Sequence, residues 1–385
     1  MQIEEVRWTA ETGWHTNKPW TSAGKTDLVI YFGNRDALLS GERFADLKRA
    51  YPGAHILGGS ATATVFGNDV DRLSVVATAI RFDKTTRLVV TQQEGVDKTT
   101  SHACGEAIGR TLAAPDLAGV FVLGDGMGVD GSGLTAGLVE ILGESCPITG
   151  GMTSDVLDFT QALAGADMAP KAGVVAAVGF YGPNIRIDSG HSCGWDAFGP
   201  RRRITRADGN QLFELDDKPV LDLYDSYLGE EEKDQTASGV MFPLLISPPD
   251  RPQHTVVRAI LGMDRANGSM TFAGSMPEGS SVRLMRGNVD RLAMGAADAA
   301  RQVRDRMPEN VSGEQLALMV TCIGRFLLMG ERAVEEIAFA RDELGPDVHC
   351  MGFYAYGEIS PAEGACGGEL HNQTMTIVAL SEIDS

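Results

Sequence analysis

One phrase occurs three times in this chain: an apolar run ending at glycine, a stretch with helical spacing, a proline, and a second apolar run broken by glycine. Such self-similarity constrains the fold more than any single motif, because each copy must form the same kind of supersecondary unit. The first copy reads "DLVIYFGNR" from Asp27, "GERFADLKRAY" from Gly41 and, after Pro52 and Gly53, "AHILGGSATATV". Phe44, Leu47 and Tyr51 fall on one side of the helix between the two strands. A second copy reads "LALMVTCIGR" from Leu316, "GERAVEEIAFARDELG" from Gly330 and "VHCMGFYAYGEI" after Pro346, with Val334, Ile337 and Leu344 expected in the core. Aligned, the two share the proline, a histidine (His55, His349) and the next glycine (Gly58, Gly352). A looser copy lies between them: "GVFVLGDGM" from Gly119, "GLTAGLVEILG", then "CPITGGMTSD" from Cys146. The expected fold class is α/β (mixed α+β), with repeated strand-helix-strand units and mixed sheets.

The rest of the chain reads as strands with two further helices. "APKAGVVAAVGFYGPNIRIDSGHSCGW" predicts two antiparallel-type strands joined at the turn "YGPN". "RRRITRADGNQLFELDD" predicts a hairpin with Asp208, Gly209 and Asn210 at its tip. "VLDLYDSYLGEEEKDQ" predicts a helix ending at Gly229, and the charged run Glu230 to Ser238 is the candidate domain boundary. "NVDRLAMGAADAARQVRDRM" is an amphipathic helix. A length of 385 residues suggests two or three domains.

Charge narrows the partners. A net charge of -19 repels nucleic acid and anionic membranes, and Arg201, Arg202 and Arg203 are too short a basic run to reverse it. The N-terminal "MQIEEVRWTAETGW" has acids where a signal peptide needs a basic start, and the longest apolar run falls short of a membrane span. The six cysteines form no CxxC pair, so reduced thiols in a cytoplasmic setting are expected. His191 with Cys193, and His349 with Cys350, have metal-binding residue types but no second pair at ligand spacing.

The strand-end glycines direct attention to ligands, because glycine permits the close backbone approach that a ligand-facing turn needs. Ser60, Gly150 and Gly151 occupy such breaks in two copies. In the third, the break carries Tyr354, Tyr356 and Glu358 in place of small residues. Glu358 suits a ligand ammonium and Arg325 a ligand carboxylate, as in an amino acid; equally, the two can bridge each other. His371, Asn372, Gln373 and Thr374 form a polar run before the apolar "MTIVAL", fit to line a pocket or to satisfy a turn. Cys322, beside Gly324 and Arg325, is the candidate nucleophile of a Cys-dependent hydrolase, with His371 as base; the competing reading is a buried thiol. No GxSxG, HExxH or Walker loop is present, and "GDGMG" at Gly124 lacks the lysine of a phosphate loop.

These segments carry a family resemblance. "CIGR" at Cys322, "GFYAYGEI" at Gly352 and "HNQTMTIVAL" at His371 resemble the C-terminal domain of the FIST family. "ILGGSATA", "GDGM", "ITGGMTSD" and "ITRADGNQLFELDDKPVLDLYDSYLGE" resemble its N-terminal domain, although the family pattern has a cysteine-serine-threonine-type turn where this chain has "GGSATAT". The resemblance implies two domains, 25–219 and 220–385, in a non-enzymatic sensor of small, amino-acid-like ligands. It also implies an alternative, a haem protein that senses nitric oxide and regulates a histidine kinase or cyclic-di-GMP enzyme. Without CxxCH any haem would be non-covalent, with His371 the first axial candidate, then His191 or His349. With no output segment of its own, such a sensor would report through a partner protein.

Overall fold

The computed structural model describes residues 1–16, 26–227, 242–308, 310–362 and 367–384; the expected boundary run Glu230 to Ser238 lies outside them. The three sequence copies are three copies of one unit. In each, a first strand runs parallel to a second: Leu28–Asn34 with His55–Ala61, Leu117–Asp125 with Ile148–Thr153, and Gln315–Cys322 with Val348–Ala355. These are the only parallel pairs among the described residues. A crossover helix joins each pair: Glu42–Ala50, Gly131–Leu142 and Ala333–Leu344. A return strand then lies antiparallel on the other side of the first strand, namely Val75–Arg81, Val174–Tyr181 and Met375–Glu382. Outside each return strand lies a strand that precedes its unit in the chain: Gln2–Thr9, Arg87–Glu94 and Ile185–Ser192.

The units are tied into a ring by exchange. After its second strand the first unit sends Thr64–Phe66 to pair with Val348–Ala355 of the third. The third sends Gly357–Ser360 to Ile148–Thr153 of the second, and the second sends Ala164–Ala166 to His55–Ala61 of the first. Where the second strands converge, Ser60 Oγ donates to Ser154 O (2.7 Å), Ser154 Oγ to Tyr354 O (2.5 Å), and the Tyr354 N–H to Ala63 O (2.9 Å). One apolar cluster spans all three sheets, with Phe32 stacked on Phe353 at 4.2 Å.

The shared glycine has a packing cause. Gly58, Gly150 and Gly352 sit at the same register position, opposite Tyr31, Val122 and Met319 of their first strands. A Cβ there would lie 2.5, 1.9 and 2.0 Å from the backbone oxygen of that partner. The glycines therefore let two parallel strands close on each other, and at Gly150 the backbone also takes φ +135°.

An antiparallel sheet is inserted between strand Ile185–Ser192 and helix Val289–Arg304 of the third unit. It contains the expected hairpin, Asp196–Asp208 against Gln211–Leu215, turning at Gly209 and Asn210. Its own core includes Leu212, Tyr224 and Phe272. Helix Val220–Tyr227 starts as expected; Gly229 lies outside the described residues.

Two sequence expectations need correction. The strands flanking "YGPN" do not pair with each other: Val174–Tyr181 joins the second unit's sheet and Ile185–Ser192 the third's. Val334 is 43% exposed, because the buried stripe of its helix runs through Ala333, Ile337, Ala340 and Leu344. Among the described residues no helix is long and apolar enough to cross a membrane.

Candidate functional site

Two cavities lie against the inserted sheet. The larger, about 580 Å³, is walled on one side by the second unit (Met127, Val129, Met152) and on the other by the insert (Asn210, Leu261, Phe272). Tyr356, at the start of the strand exchanged from the third unit, also lines it, with Phe159. Their rings stack at 5.6 Å. The Tyr356 hydroxyl donates to Asp155, whose buried carboxylate also takes the N–H groups of Leu157, Thr160 and Gln161. That loop holds Leu157 and Phe159 at φ +76° and +53°, a costly conformation for such side chains, and so aims Phe159 at the cavity. Lys98 and Asp130 bring opposite charges to a mostly apolar enclosure that also carries Asn210 and Ser275, the usual make-up of a small-molecule site.

The "GDGMG" segment also lines this cavity, and it is not a phosphate cradle. Asp125 folds the loop onto its own carboxylate, accepting from Met127 N (2.8 Å), Gly128 N (3.3 Å) and Gly173 N (2.7 Å). The amides a phosphate would need are already taken.

The smaller cavity, about 520 Å³, is polar and gathers His191, Cys193, His254, His371 and Thr374. The His191 and His371 rings lie 4.1 Å apart. Burial holds both neutral, pushing His191 down to about 4 and His371 well below the ordinary 6.5. Next to them Glu358 is fully buried, opposite His371 in its strand ladder. Its Oε2 accepts from Thr374 N (3.0 Å) and Thr374 Oγ1 (2.7 Å), while Oε1 accepts no close hydrogen bond among the described residues and the Cys322 thiol lies beside the carboxylate. Desolvation raises its pKa to about 8 against the pull of those hydrogen bonds. Arg258, buried between the cavities, donates to Leu370 O of the larger wall and Val257 O of the smaller.

The candidates drawn from the sequence therefore separate. His371 and Thr374 line the polar cavity, with Glu358 bound to Thr374 behind the wall and Cys322 and Asn372 also buried; Tyr356 stands in the apolar one. Arg325 faces neither: fully buried, it pairs with Glu336 at 2.7 Å and donates to Cys193 O and Leu292 O. It meets neither Glu358 nor a ligand carboxylate. The Tyr354 hydroxyl donates to the same Glu336 (2.8 Å), so this pair belongs to the core. Ser60 and Gly150 serve the junction and the strand contact described above, and a Cβ at Gly151 would lie 2.7 Å from Val320 Cγ1. His349 is remote from both cavities, bound to Glu5 at 2.9 Å.

Cys322 does not have the setting of a nucleophile. It is 2% exposed, and burial, then the neighbouring Glu358, pushes its thiol well above the ordinary value. Haem fits poorly at the histidines. A porphyrin needs apolar faces, yet among the described residues Leu245, Val256 and Val257 are the cavity's only apolar walls besides Cys193, and the His191 and His371 rings lie against each other at 4.1 Å. Phe159, Lys98, Leu261, Phe272, His254 and Ser360 escape a reading of the sequence. None belongs to a repeat or motif, and each acquires a role only by tertiary apposition.

The α/β ring and the inserted sheet together enclose an apolar cavity large enough for a small molecule. The FIST N domain matches residues 27–218 and the FIST C domain residues 221–361, and the chain belongs to the FIST family of signal-transduction sensor domains. No curated protein is significantly similar to it in sequence.

Proposed function

We propose that this chain is a cytoplasmic sensor whose ligand, an amino-acid-like molecule with an apolar side chain, occupies the larger cavity and whose signal passes to a partner protein. The observation that carries the reading is the make-up of that cavity: apolar walls including Phe159, Tyr356 and Phe272, with one cation, Lys98, and one carboxylate, Asp130, among the described residues. A zwitterion needs both charges, and the rings supply contact area for its side chain. Asp130 already accepts from Ser132 N and Gly133 N, but a carboxylate has lone pairs to spare for an ammonium. Because the walls come from the ring and from the insert, a ligand that contacts both biases their relative placement. That is the physical requirement for a signal a partner can read. A histidine kinase or a cyclic-di-GMP enzyme is the partner class the family suggests, and the polar lining of the second cavity argues against the haem alternative.

Thermal-shift screening against the twenty amino acids tests this reading. Apolar and aromatic members should raise the melting temperature, and Lys98→Ala should abolish the rise without altering the unliganded melt. If no amino acid shifts the folded protein, the reading fails.

A further inference from the structure

Phe159 is held at the larger cavity with one ring face unused. It lies on Tyr356 at 5.6 Å with the planes 17° apart, so one face is covered. It makes no other ring contact among the described residues and is 55% exposed, whereas Phe32 and Phe353, also stacked, are fully buried. Two sets of bonds keep it there. The Asp155 carboxylate ties down Leu157 N, Thr160 N and Gln161 N, and Arg35 reaches across from the first unit to Asp158 Oδ1 and Thr160 Oγ1, each at 2.7 Å. Left-handed backbone at a leucine and a phenylalanine persists only where the surroundings over-determine it. Tyr356 beneath is set as firmly. Its hydroxyl donates to Asp155, burial holds the phenol well above its ordinary pKa, and a Cβ at Gly126 would lie 2.9 Å from its Cδ2. With that proton committed, the pair offers a ligand aromatic surface.

We propose that the ligand of the larger cavity is an aromatic amino acid or a close aromatic analogue, its ring stacked on the open face of Phe159 so that Tyr356, Phe159 and the ligand form one column. The proposal rests on the amino-acid reading of this cavity and narrows its apolar side chain to a planar one. An aliphatic chain gains only area from an open ring face, whereas a second ring adds offset stacking, worth about 2- to 12-fold in affinity. The other walls suit a ring as well. Met127 and Met152 bring thioethers, which favour aromatic edges, and the insert supplies the buried Phe272 and the 52% exposed Leu261. A ring seated there covers two of the chain's exposed large apolar side chains, Phe159 and Leu261, at once. Lys98 and Asp130 remain for the carboxylate and ammonium.

The test is calorimetric titration of the full chain with L-phenylalanine and with L-cyclohexylalanine, which has the same carbon skeleton and a saturated, non-planar ring. Phenylalanine should bind the tighter by about 2- to 12-fold, although its competitor is the more apolar. Phe159→Leu keeps apolar bulk and removes the ring face, so it should erase that preference. Phe339→Leu, at an exposed ring on helix Ala333–Leu344 outside both cavities, should preserve it. Thermal melts confirm that each variant is folded, and the comparison of the two ligands on the parent protein needs no variant. Equal affinities, tighter binding of cyclohexylalanine by the parent, or a preference that survives Phe159→Leu would overturn the stacked column and leave the amino-acid reading standing. So would binding of L-leucine or L-methionine with no binding of phenylalanine. Binding of no amino acid at all would remove both.

Discussion

At the scale of single residues, two buried charges answer the same hydrophobic surroundings differently. Arg325 and Glu336 are both fully buried and satisfy each other, with Tyr354 closing the network. Removing one partner strands the other, so Arg325→Ala should cost about 3–5 kcal/mol in urea unfolding, whereas replacing both by apolar residues of similar volume should cost far less. Glu358 forms no ion pair among the described residues, and burial raises its folded-state pKa from 4.5 to about 8 against the weaker pull of its hydrogen bonds and of Arg325. A raised carboxyl pKa means that the folded state binds the extra proton. Its stability contribution is full below pH 4.5 and is lost as pH rises through 8. His191 has the opposite sign. Its value falls from 6.5 to about 4, so its contribution is present above 6.5 and lost as pH falls through 4. Glu358→Gln should therefore flatten the alkaline side of the pH–stability curve and leave the acid side intact, as melts between pH 4 and 9 would show. Arg325 and Glu358 were both legible as notable residues from their place at strand ends. Their partners were not, because Glu336 lies three helical turns along the chain and contacts Arg325 only once the helix packs back on its sheet.

At the scale of elements, the recurring glycine was visible in the sequence, and its position was right while the reason suggested for it, a ligand-facing turn, was not needed. In all three units the Cβ position opposes a backbone oxygen of the parallel neighbour, a contact that rotamer adjustment cannot relieve. Gly352→Ala, 2.0 Å from Met319 O, should destabilise by about 1–3 kcal/mol or more. Gly53→Ala, with nothing within 4 Å, should stay within about 0.5 kcal/mol of the parent. Equal losses at both sites in chemical denaturation would sink the packing explanation. The crossover helices follow the same logic of close approach. A Cβ at Gly137 would sit 2.1 Å from His102 O, so helices Ser101–Leu112 and Gly131–Leu142 pack nearly backbone to backbone. Periodicity alone shows which helix residues are apolar; it does not show that one helix turns an apolar residue such as Val334 outward.

At the scale of the whole molecule, the ring of exchanged strands decides how the protein must unfold. The match to two successive family domains suggests two halves, yet ladders cross between them at several places. Val348–Ala355 takes Thr64–Phe66 as its outer neighbour, Ile148–Thr153 takes Gly357–Ser360, and Ile185–Ser192 depends on Met375–Glu382. A chain cut between the halves leaves Ile148–Thr153 with an open edge and Ile185–Ser192 without its partner strand. Exposed edges of that kind invite non-native pairing. The ring, as opposed to the insert with its separate core, should therefore lose structure in one cooperative transition. Fragment 1–219 expressed alone should aggregate or show a broad, low-cooperativity melt, and mixing it with 220–385 should restore part of the parent transition. An independently folded fragment 1–219 with a sharp melt would show that the exchange is dispensable. Ligand in the larger cavity adds a second reading, since its walls belong to the ring and the insert together. If the insert melts separately in the free protein, a bound amino acid should merge its transition with that of the ring, because binding energy is then lost when either wall departs.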